Sequence, residues 1–419
     1  MKAKPLKQKL EAYCEFINGG AWNEHEYTDS GIPVLKVSNI KNQAFSLEDI
    51  DYLSIEGAKK YAKNLLNEYD LIVATVGSHP NLINSAAGRT IAVSKALQGY
   101  LLNQNAVCIR TKDNKVLYQP YLRYIGETGF FRAYIQARGK GAANQMRIAI
   151  GEIKNFPISM PKLAIQKKIA AILSAYDDLI ENNLKRIKLL EEMAQITYEE
   201  WFVRLKFPGH ETTPVDSETG LPEGWLMNKV GNLLAKIATT TKIKSSEYCT
   251  EGKFPIIDQS REYIAGYTND EDSIIDIRKP IIVFGDHTRI LKLVNFPFAR
   301  GADGTQILLS KDERMPQYLF YFSLLAIDLS NYHYARHFKF LKDCELILPD
   351  LNTALAFENL AAKNFRLIKN LRNQNQLLKE ARNILLPRLM TGMIDVEQLV
   401  LPESLGELSS NLTQESQAA

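Results

Sequence analysis

The residue types best suited to chemistry in this chain are cations and amides that cluster around glycines. Residues 138–147 read RGKGAANQMR. Arg and Lys bind phosphate oxygens, Asn and Gln can pair with the edge of adenine, and glycine lets the backbone approach a ligand closely. The segment therefore favours contact with a nucleic acid over the alternative, a solvated loop before a strand. Its candidate contact residues are Arg138, Lys140, Asn144, Gln145 and Arg147.

Three further groups share this character. Two are glycine-containing turns that follow apolar strands, and loops on a rigid scaffold are common sites of recognition. The third, YHYARHFK at 332–339, interleaves cations with aromatic residues, which suits backbone contact combined with stacking. The alternatives are plain structural turns and aromatic residues that belong to the core. The candidates are Ser78, His79 and Arg89 in the first group, His287, Thr288 and Arg289 in the second, and His333, Arg336, His337 and Lys339 in the third.

Catalytic motifs are missing around these clusters. The chain has no Pro-Pro pair, which excludes the Asn/Asp-Pro-Pro-aromatic loop of an amino-methyltransferase, and no phosphate loop ending in Gly-Lys-Ser/Thr. Glu152-Ile153-Lys154 fits half of a nuclease metal site, but Phe340-Leu341-Lys342 replaces it in a related part of the chain. His333 and His337 have the spacing of zinc ligands without a third ligand nearby. We therefore predict no catalytic, cofactor or metal site.

The clusters must be positioned by a fold that occurs twice. Residues 161–202 align without a gap on residues 349–390, with Asn182 on Asn370 and Leu189 on Leu377. A duplication of this kind predicts two similar units. Internal pseudo-two-fold symmetry suits a partner that repeats along an axis, and duplex DNA is such a partner.

The predicted fold class is α+β, with two similar α/β units. Short β-branched runs predict strands at 32–37, 70–76 and 106–110 in the first unit, and at 254–257 and 280–284 in the second. A helix is predicted to start at Pro120, since proline is favoured in a first turn.

Two long helices are predicted, over 162–204 and 351–386, with Pro387 ending the second. Four-three spacing of apolar residues predicts that they pair as an antiparallel coiled coil, with Asn183 and Asn375 as polar residues that fix its register. The alternative is that both Asn side chains are exposed. The predicted seam consists of Ile165, Ile169, Ile172, Tyr176, Leu179, Ile187, Leu190, Ala194, Thr197 and Trp201 in the first helix, and of Ala361, Phe365, Ile368, Leu371, Leu378 and Leu385 in the second.

Bulk composition places few limits on function. The 419 residues are 45% hydrophobic with a net charge of +3, which is ordinary for a globular protein and too weak to argue for nucleic-acid binding by itself. The four cysteines lack a paired spacing, so reduced thiols in the cytoplasm are expected. No apolar run reaches the ~18 residues of a membrane span, and the basic start lacks the apolar run of a signal peptide.

Several motifs together resemble one family. They are IPVLKVSNI at 32–40, FGDHTR at 284–289, GADG at 301–304, HFKFLK at 337–342 and ARNILLPRLMTG at 381–392, in the order domain, helix, domain, helix. From about residue 6 to 396 the chain resembles the specificity subunit of type I restriction–modification systems. Lys36, Ser38, Asn39 and Arg300, which lie in or beside such motifs, complete the DNA-contact candidates.

The resemblance implies two target recognition domains, each reading one half of a split sequence in double-stranded DNA, with the helices as a ruler between them. It implies two modification subunits that bring S-adenosylmethionine and methylate adenine, and restriction subunits that bring ATP and magnesium; the chain itself would bind no cofactor. The segments are domain 1 (1–160), helix (161–205), linker (206–223), domain 2 (224–348), helix (349–387) and tail (388–419), with disorder predicted from Pro402 onward.

Two features depart from the repeat: Trp225 of the Gly-Trp start of domain 2 has no match in domain 1, and Gln166 is matched by Ala354. Two other function classes remain open from the residues alone. One is a self-sufficient DNA methyltransferase or nuclease, and the other is a coiled-coil adaptor that binds only proteins.

Overall fold

The computed structural model describes residues 8–41, 44–45, 50–77, 87–142, 145–236, 241–277, 279–301, 304–331 and 336–401. Within this part the chain forms two compact units. The first lies within Met1–Glu181 and Asn375–Ala419, and the second is Asn182–Gln374. Each unit therefore holds one predicted domain together with a part of each long helix. The predicted tail beyond residue 401 lies outside the described residues.

The strands of the first unit are short. They are β1 (Gln8–Lys9), β2 (Cys14–Asn18), β3 (Tyr27–Thr28), β4 (Ile32–Leu35), β5 (Ile40–Lys41), β6 (Ala44–Phe45), β7 (Asp51–Leu53), β8 (Leu71–Ala74), β9 (Val76–Gly77), β10 (Thr90–Ala92), β11 (Leu101–Leu102), β12 (Ala106–Thr111), β13 (Lys140–Ala142), β14 (Gln145–Arg147) and β15 (Pro157–Ile158). The three strands predicted here are confirmed as β4, β8 and β12.

The second unit has a similar set. Its strands are β16 (Leu226–Lys229), β17 (Phe254–Ile257), β18 (Gly266–Thr268), β19 (Ile274–Ile275), β20 (Ile281–Gly285), β21 (Leu291–Val294), β22 (Phe298–Arg300), β23 (Thr305–Leu308) and β24 (Glu345–Leu348). The two predicted strands are confirmed as β17 and β20.

Helices flank these sheets. They are α1 (Ile55–Ala58), α2 (Gln119–Glu127), α3 (Gly129–Gln136), α4 (Ile150–Lys154), α5 (Leu163–Tyr198), α6 (Val230–Leu233), α7 (Gln317–Leu325), α8 (Phe338–Asp343) and α9 (Leu351–Met390). A π-helical turn, Glu199–Val203, continues α5. None of the helices in the described part of the chain has both the length and the apolar character to span a membrane.

The two domains share the arrangement of their central strands, and the first has an additional strand, β2, beside β12. In the first, β4 pairs in parallel with β11, and β8 lies between β10 and β12. In the second, β17 pairs in parallel with β22, and β20 lies between β21 and β23. The central strands β8 and β20 are buried along their whole length, as their continuous apolar sequences LIVA and IIVFG require. The duplication seen in the helices therefore extends to both domains.

The long helices confirm the prediction, with corrections to the seam. Leu179 was predicted in the seam and is exposed; the half-buried residue is its neighbour Ile180. Near the end of α5 the fully buried positions are Tyr198 and Phe202 instead of Thr197 and Trp201. The buried residues Ala194, Tyr198 and Phe202 are four positions apart there, because large aromatic side chains of the second unit pack against this turn.

The prediction that Pro387 ends the second helix is wrong. It lies inside the last turn of α9. Proline has no backbone N–H, so one hydrogen bond of the helix is missing there, near an end where the carbonyl groups already lack partners within the helix. The N–H and the hydroxyl of Thr391 both donate to the Pro387 carbonyl, at 3.1 and 2.7 Å. Gly392, with a φ of 73°, then turns the chain away.

Within each unit the two helical segments run antiparallel. In the first unit Asp177 pairs with Arg382, and the Asn375 amide donates to the Ile180 carbonyl at 3.3 Å. In the second, Glu191 pairs with Arg372 at 2.9 Å. Asn375 is buried, as is Asn183, which excludes the exposed alternative for both. Their role in fixing the register stays a prediction.

The long helices also hold the short central helix of each domain. The Gln166 side chain accepts a hydrogen bond from the Tyr118 N–H at 2.9 Å, at the start of α2. In the second unit the Glu358 carboxylate accepts from the Tyr318 and Leu319 N–H groups, at 2.9 and 3.1 Å, at the start of α7. A side chain one turn further along α9 thus performs the capping role that Ala354, aligned with Gln166, cannot perform.

Candidate nucleic-acid interface

A hairpin brings two of the predicted clusters of the first domain together. Strands β13 and β14 pair so that Lys140 lies directly opposite Arg147. Strand β14 also pairs with β9, with Met146 opposite Gly77. The segment 138–147 therefore lies beside the start of the segment 77–89, although about 60 residues separate them in sequence. Ser78, His79 and Asn144 lie outside the described residues, and Gln145 is described only in its backbone.

A cleft of about 510 Å³ opens beside this hairpin. We call it the hairpin cleft; its polar lining consists of Asn18, Thr75, Gln104, Asn105, Lys140 and Arg147. Asn105 has a φ of 72°, and its carbonyl accepts a hydrogen bond from the Thr75 N–H at 2.8 Å. The three amide residues were not among the sequence candidates. The run Asn103-Gln104-Asn105 directly before a buried strand is the signal that could have found two of them.

Arg138 and Arg89 are engaged within the domain. The Arg138 guanidinium lies 3.5 Å from the centre of the Tyr134 ring and 3.5 Å from the Glu152 carboxylate. Arg89 donates to the Ile40 carbonyl at 2.9 Å, and burial, with a smaller effect of Arg132, lowers the pKa of its guanidinium. Both side chains hold loops of the domain in place.

The motif at 32–40 consists of strand β4 and the turn that follows it, and its contacts are mostly structural. The buried side chain of Asn39 accepts a hydrogen bond from the Lys36 N–H at 2.8 Å. The Lys36 ammonium pairs with Asp51 and lies 4.6 Å from the centre of the Tyr27 ring. Ser38 is exposed on the same turn.

In the second domain Asp286 connects two predicted clusters. It directly precedes the cluster that begins at His287, and it accepts hydrogen bonds from the cluster that contains His337. The His337 N–H donates to the Asp286 carbonyl at 2.9 Å, and the Phe338 N–H donates to its carboxylate at 2.7 Å. His337 is buried, with Nδ1 also 2.9 Å from that carbonyl, whereas Arg336 and Lys339 are exposed. His333 lies outside the described residues.

The turn after Asp286 is held from several sides. The Thr288 hydroxyl donates to the Gln259 carbonyl at 2.6 Å, and the His287 N–H donates to the Gln259 side chain at 3.1 Å. Arg289, with a φ of 62°, donates to the Leu329 carbonyl at 3.0 Å. His287, Thr288 and Arg289 are exposed on this fixed turn.

Arg300 has an internal role as well. Its Nε donates to the Thr305 carbonyl at 2.9 Å, and burial lowers the pKa of its guanidinium. The side chain thus bridges β22 and β23. Whether it or any other candidate touches DNA stays a prediction.

In each domain the candidate loops come together at one place, which we call the junction of that domain. The two junctions are equivalent. After β8, the Thr75 carbonyl accepts from Ile148 at 2.8 Å. After β20, the Asp286 carbonyl accepts from His337 at 2.9 Å. A residue with positive φ lies at each junction: Asn105 in the first domain and Gly304 in the second. One backbone arrangement therefore presents different side chains in the two domains.

The chemistry available at these junctions is that of binding. Cations and amides predominate, and the acid of the possible nuclease tripeptide, Glu152, is paired with Arg138. In the part of the chain that the structure describes, no three His, Cys, Asp or Glu side chains are grouped to hold a metal ion.

Comparison with known proteins shows one consistent similarity. Residues 7–192 match the model of the type I restriction modification DNA specificity domain. A putative type I restriction enzyme MjaX specificity subunit from Methanocaldococcus jannaschii is 25% identical over 417 residues, covering 93% of each chain. Residues 7–192 are thus similar to this DNA specificity domain, and the chain is similar over nearly its whole length to a type I specificity subunit. The MjaIX specificity subunit of the same organism is 25% identical over 344 residues, covering 74% of this chain and 79% of the relative.

The chain also has the fold of a solved type I S subunit. The type I S subunit of M. genitalium aligns with a TM-score of 0.52 at 14% identity, covering 91% of this chain and 95% of that structure. The matched domain and the similar specificity subunits support a DNA-specificity role for the chain, which is a non-catalytic one. The stand-alone enzyme and the adaptor that binds only proteins are therefore not favoured.

Proposed function

We propose that this chain reads a split target in duplex DNA, one half with each domain, in the cytoplasm. The observation that carries the proposal is the repeated junction of loops, with Asn105 in one domain and Gly304 in the other. Two copies of one scaffold with different side chains suit two half-sites of different sequence. Exposed cations around each junction, such as Arg147 and Lys339, suit the phosphate backbone.

We also propose that the long helices dock two modification subunits, which carry S-adenosylmethionine, while restriction subunits bring ATP and magnesium. Exposed apolar residues recur at aligned positions of the two helices, which supports two similar docking sites. The exposed fractions are 51% and 49% for Leu179 and Leu367, 63% and 65% for Leu189 and Leu377, and 59% and 53% for Ile196 and Ile384. Exposed apolar side chains at matched positions indicate contact with matched partners.

Exchange of residues 224–348 for the same segment of another specificity subunit is expected to change one half of the target and leave the other unchanged. The reason is that each junction is built from loops of one domain. The measurement is single-molecule mapping of methylated adenines in cells that carry the modification complex. The reciprocal exchange of residues 8–160 is the matched control and should change the other half. A change of both halves by either exchange would contradict the proposal that each domain reads one half of the target.

Leu189→Glu and Leu377→Glu are each expected to remove one modification subunit from the complex, and the double variant to remove both. A carboxylate in an apolar contact must be desolvated without a partner, which is costly. Light scattering of the purified complex measures the loss as a fall in mass. Leu184→Glu is the matched control, because Leu184 is 54% exposed on the same helix and is aligned with Arg372 instead of an apolar residue. An unchanged mass for both single variants would refute this docking surface.

A further inference from the structure

The hairpin cleft has the composition of a site for a polyanion. Lys140 and Arg147 are exposed, and they lie directly opposite each other across β13 and β14. Like charges in this position destabilise a hairpin. Among the described residues the side chain of neither cation has an ion pair or a hydrogen bond that would offset the repulsion. Residues kept in such an arrangement are suited to a ligand that supplies the negative charge.

The opposite wall of the cleft is rigid. The Asn103 and Gln104 N–H groups donate to the Leu35 and Gly20 carbonyls, both at 2.9 Å, and the Asn105 carbonyl accepts from Thr75 at 2.8 Å. Gly19 packs so closely that a Cβ there would lie 1.8 Å from the Asn103 carbonyl oxygen. The backbone of this loop is therefore fixed before any ligand arrives.

The Gln104 side chain projects from this fixed loop. It is exposed and makes no hydrogen bond within the described residues. A glutamine amide offers a donor and an acceptor together, which is the pattern that pairs with an adenine edge in the major groove. The Gln104 amide is therefore placed to contact a base while the two cations beside it contact phosphates.

The second domain is more crowded at the equivalent position. At Gly304, which takes the place of Asn105, a Cβ would lie 2.6 Å from His287 and 2.7 Å from the Gln259 side chain. That space is already filled by side chains of the domain itself. The second domain therefore has no room at this position for a side chain such as that of Asn105.

We propose that the hairpin cleft is where the first domain holds its DNA half-site, with Lys140 and Arg147 on backbone phosphates and the Gln104 amide on the edge of a base. This inference rests on the proposed function and assigns the contact to particular side chains.

The test uses the complete chain in complex with its modification subunits, and a duplex carrying the target found by methylation mapping. For Lys140→Ala/Arg147→Ala we expect the slope of log affinity against log salt to become less steep by about 1.8, since each phosphate contact contributes about 0.9. Lys60→Ala/Lys63→Ala removes the same charge from exposed positions outside the cleft and should leave the slope unchanged. Equal slopes for the wild type and the cleft variant, or an equal fall in the control, would overturn the inference.

Gln104→Ala tests the base contact separately. We expect affinity for the target to fall on the order of 5- to 150-fold, with discrimination lost at one position of the half-site assigned to residues 8–160. A uniform loss over all sequences, or none, would refute a base contact. Equilibrium dialysis with ATP and the same complex covers the other source of phosphate: ATP binding that Lys140→Ala/Arg147→Ala abolishes would make the cleft a nucleotide pocket. If the wild-type complex does not bind its mapped duplex, the proposed function itself fails.

Discussion

Replacement of Arg382 by methionine is expected to lower the free energy of unfolding by about 3–5 kcal/mol, the cost of breaking a buried ion pair. Arg382 is buried, and its Nε lies 2.7 Å from Asp177 Oδ1 in an ion contact without hydrogen-bond alignment. It also pairs with Glu127. Arg123 completes the cluster, 2.8 Å from Asp177 and 2.9 Å from Glu127. Two cations and two carboxylates balance, and removal of one cation leaves a buried negative charge.

Urea denaturation followed by circular dichroism measures this loss. The matched control is Arg372→Met on the same helix, because Arg372 pairs with Glu191 at 2.9 Å in an exposed position, where such pairs contribute about 0–1 kcal/mol. The double variant Arg382→Met/Asp177→Leu retains the balanced Arg123–Glu127 pair and should recover most of the stability. If Arg382→Met costs no more than Arg372→Met, or if the double variant recovers nothing, charge balance is not what stabilises this cluster.

Phe357→Ala is expected to destabilise the second unit by about 3–5 kcal/mol, through a cavity at the centre of an aromatic cluster. The Phe357 side chain is fully buried. Its ring centre lies 5.3 Å from that of Phe202, 5.8 Å from that of Phe322 and 6.1 Å from that of Tyr198. This contact joins both helical segments of the unit to α7, so its loss should loosen the domain from the helices.

Hydrogen exchange of α7 amides, together with thermal unfolding, measures the effect. Phe130→Ala is the control: its ring is mostly exposed and lies 5.5 Å from that of Phe156, so the same chemical change should cost far less. A similar cost for both variants would show that the aromatic cluster has no special role.

Much of the fold could be predicted because its signals are local. The strands β8 and β20 are continuous apolar runs, and the helices repeat apolar residues at three and four positions. Leu179 was misplaced because the spacing alone fits either Leu179 or Ile180, and only the packing of the partner segment chooses between them. Pro387 was misjudged because a proline in a last turn removes a single hydrogen bond, too little to end a helix that is packed along one side.

The candidate interface was harder to predict because it depends on contacts between distant residues. The pairing of Met146 with Gly77 and the approach of His337 to Asp286 follow from tertiary structure. The same holds for Glu358, which replaces Gln166 as the cap of a domain helix from a different position along the repeat. Side chains such as His337 and Asn39 had the right chemistry for DNA and lie buried as supports of the turns.

The ion cluster of the first unit has no copy in the second. The repeat aligns Asp177 with Phe365 and Arg382 with Ala194. Recombination between the two halves of the gene would therefore exchange one partner of a buried charge without the other, and the resulting chains would fold poorly. Copying either half of the repeat onto the other would therefore leave a buried charge without its partner.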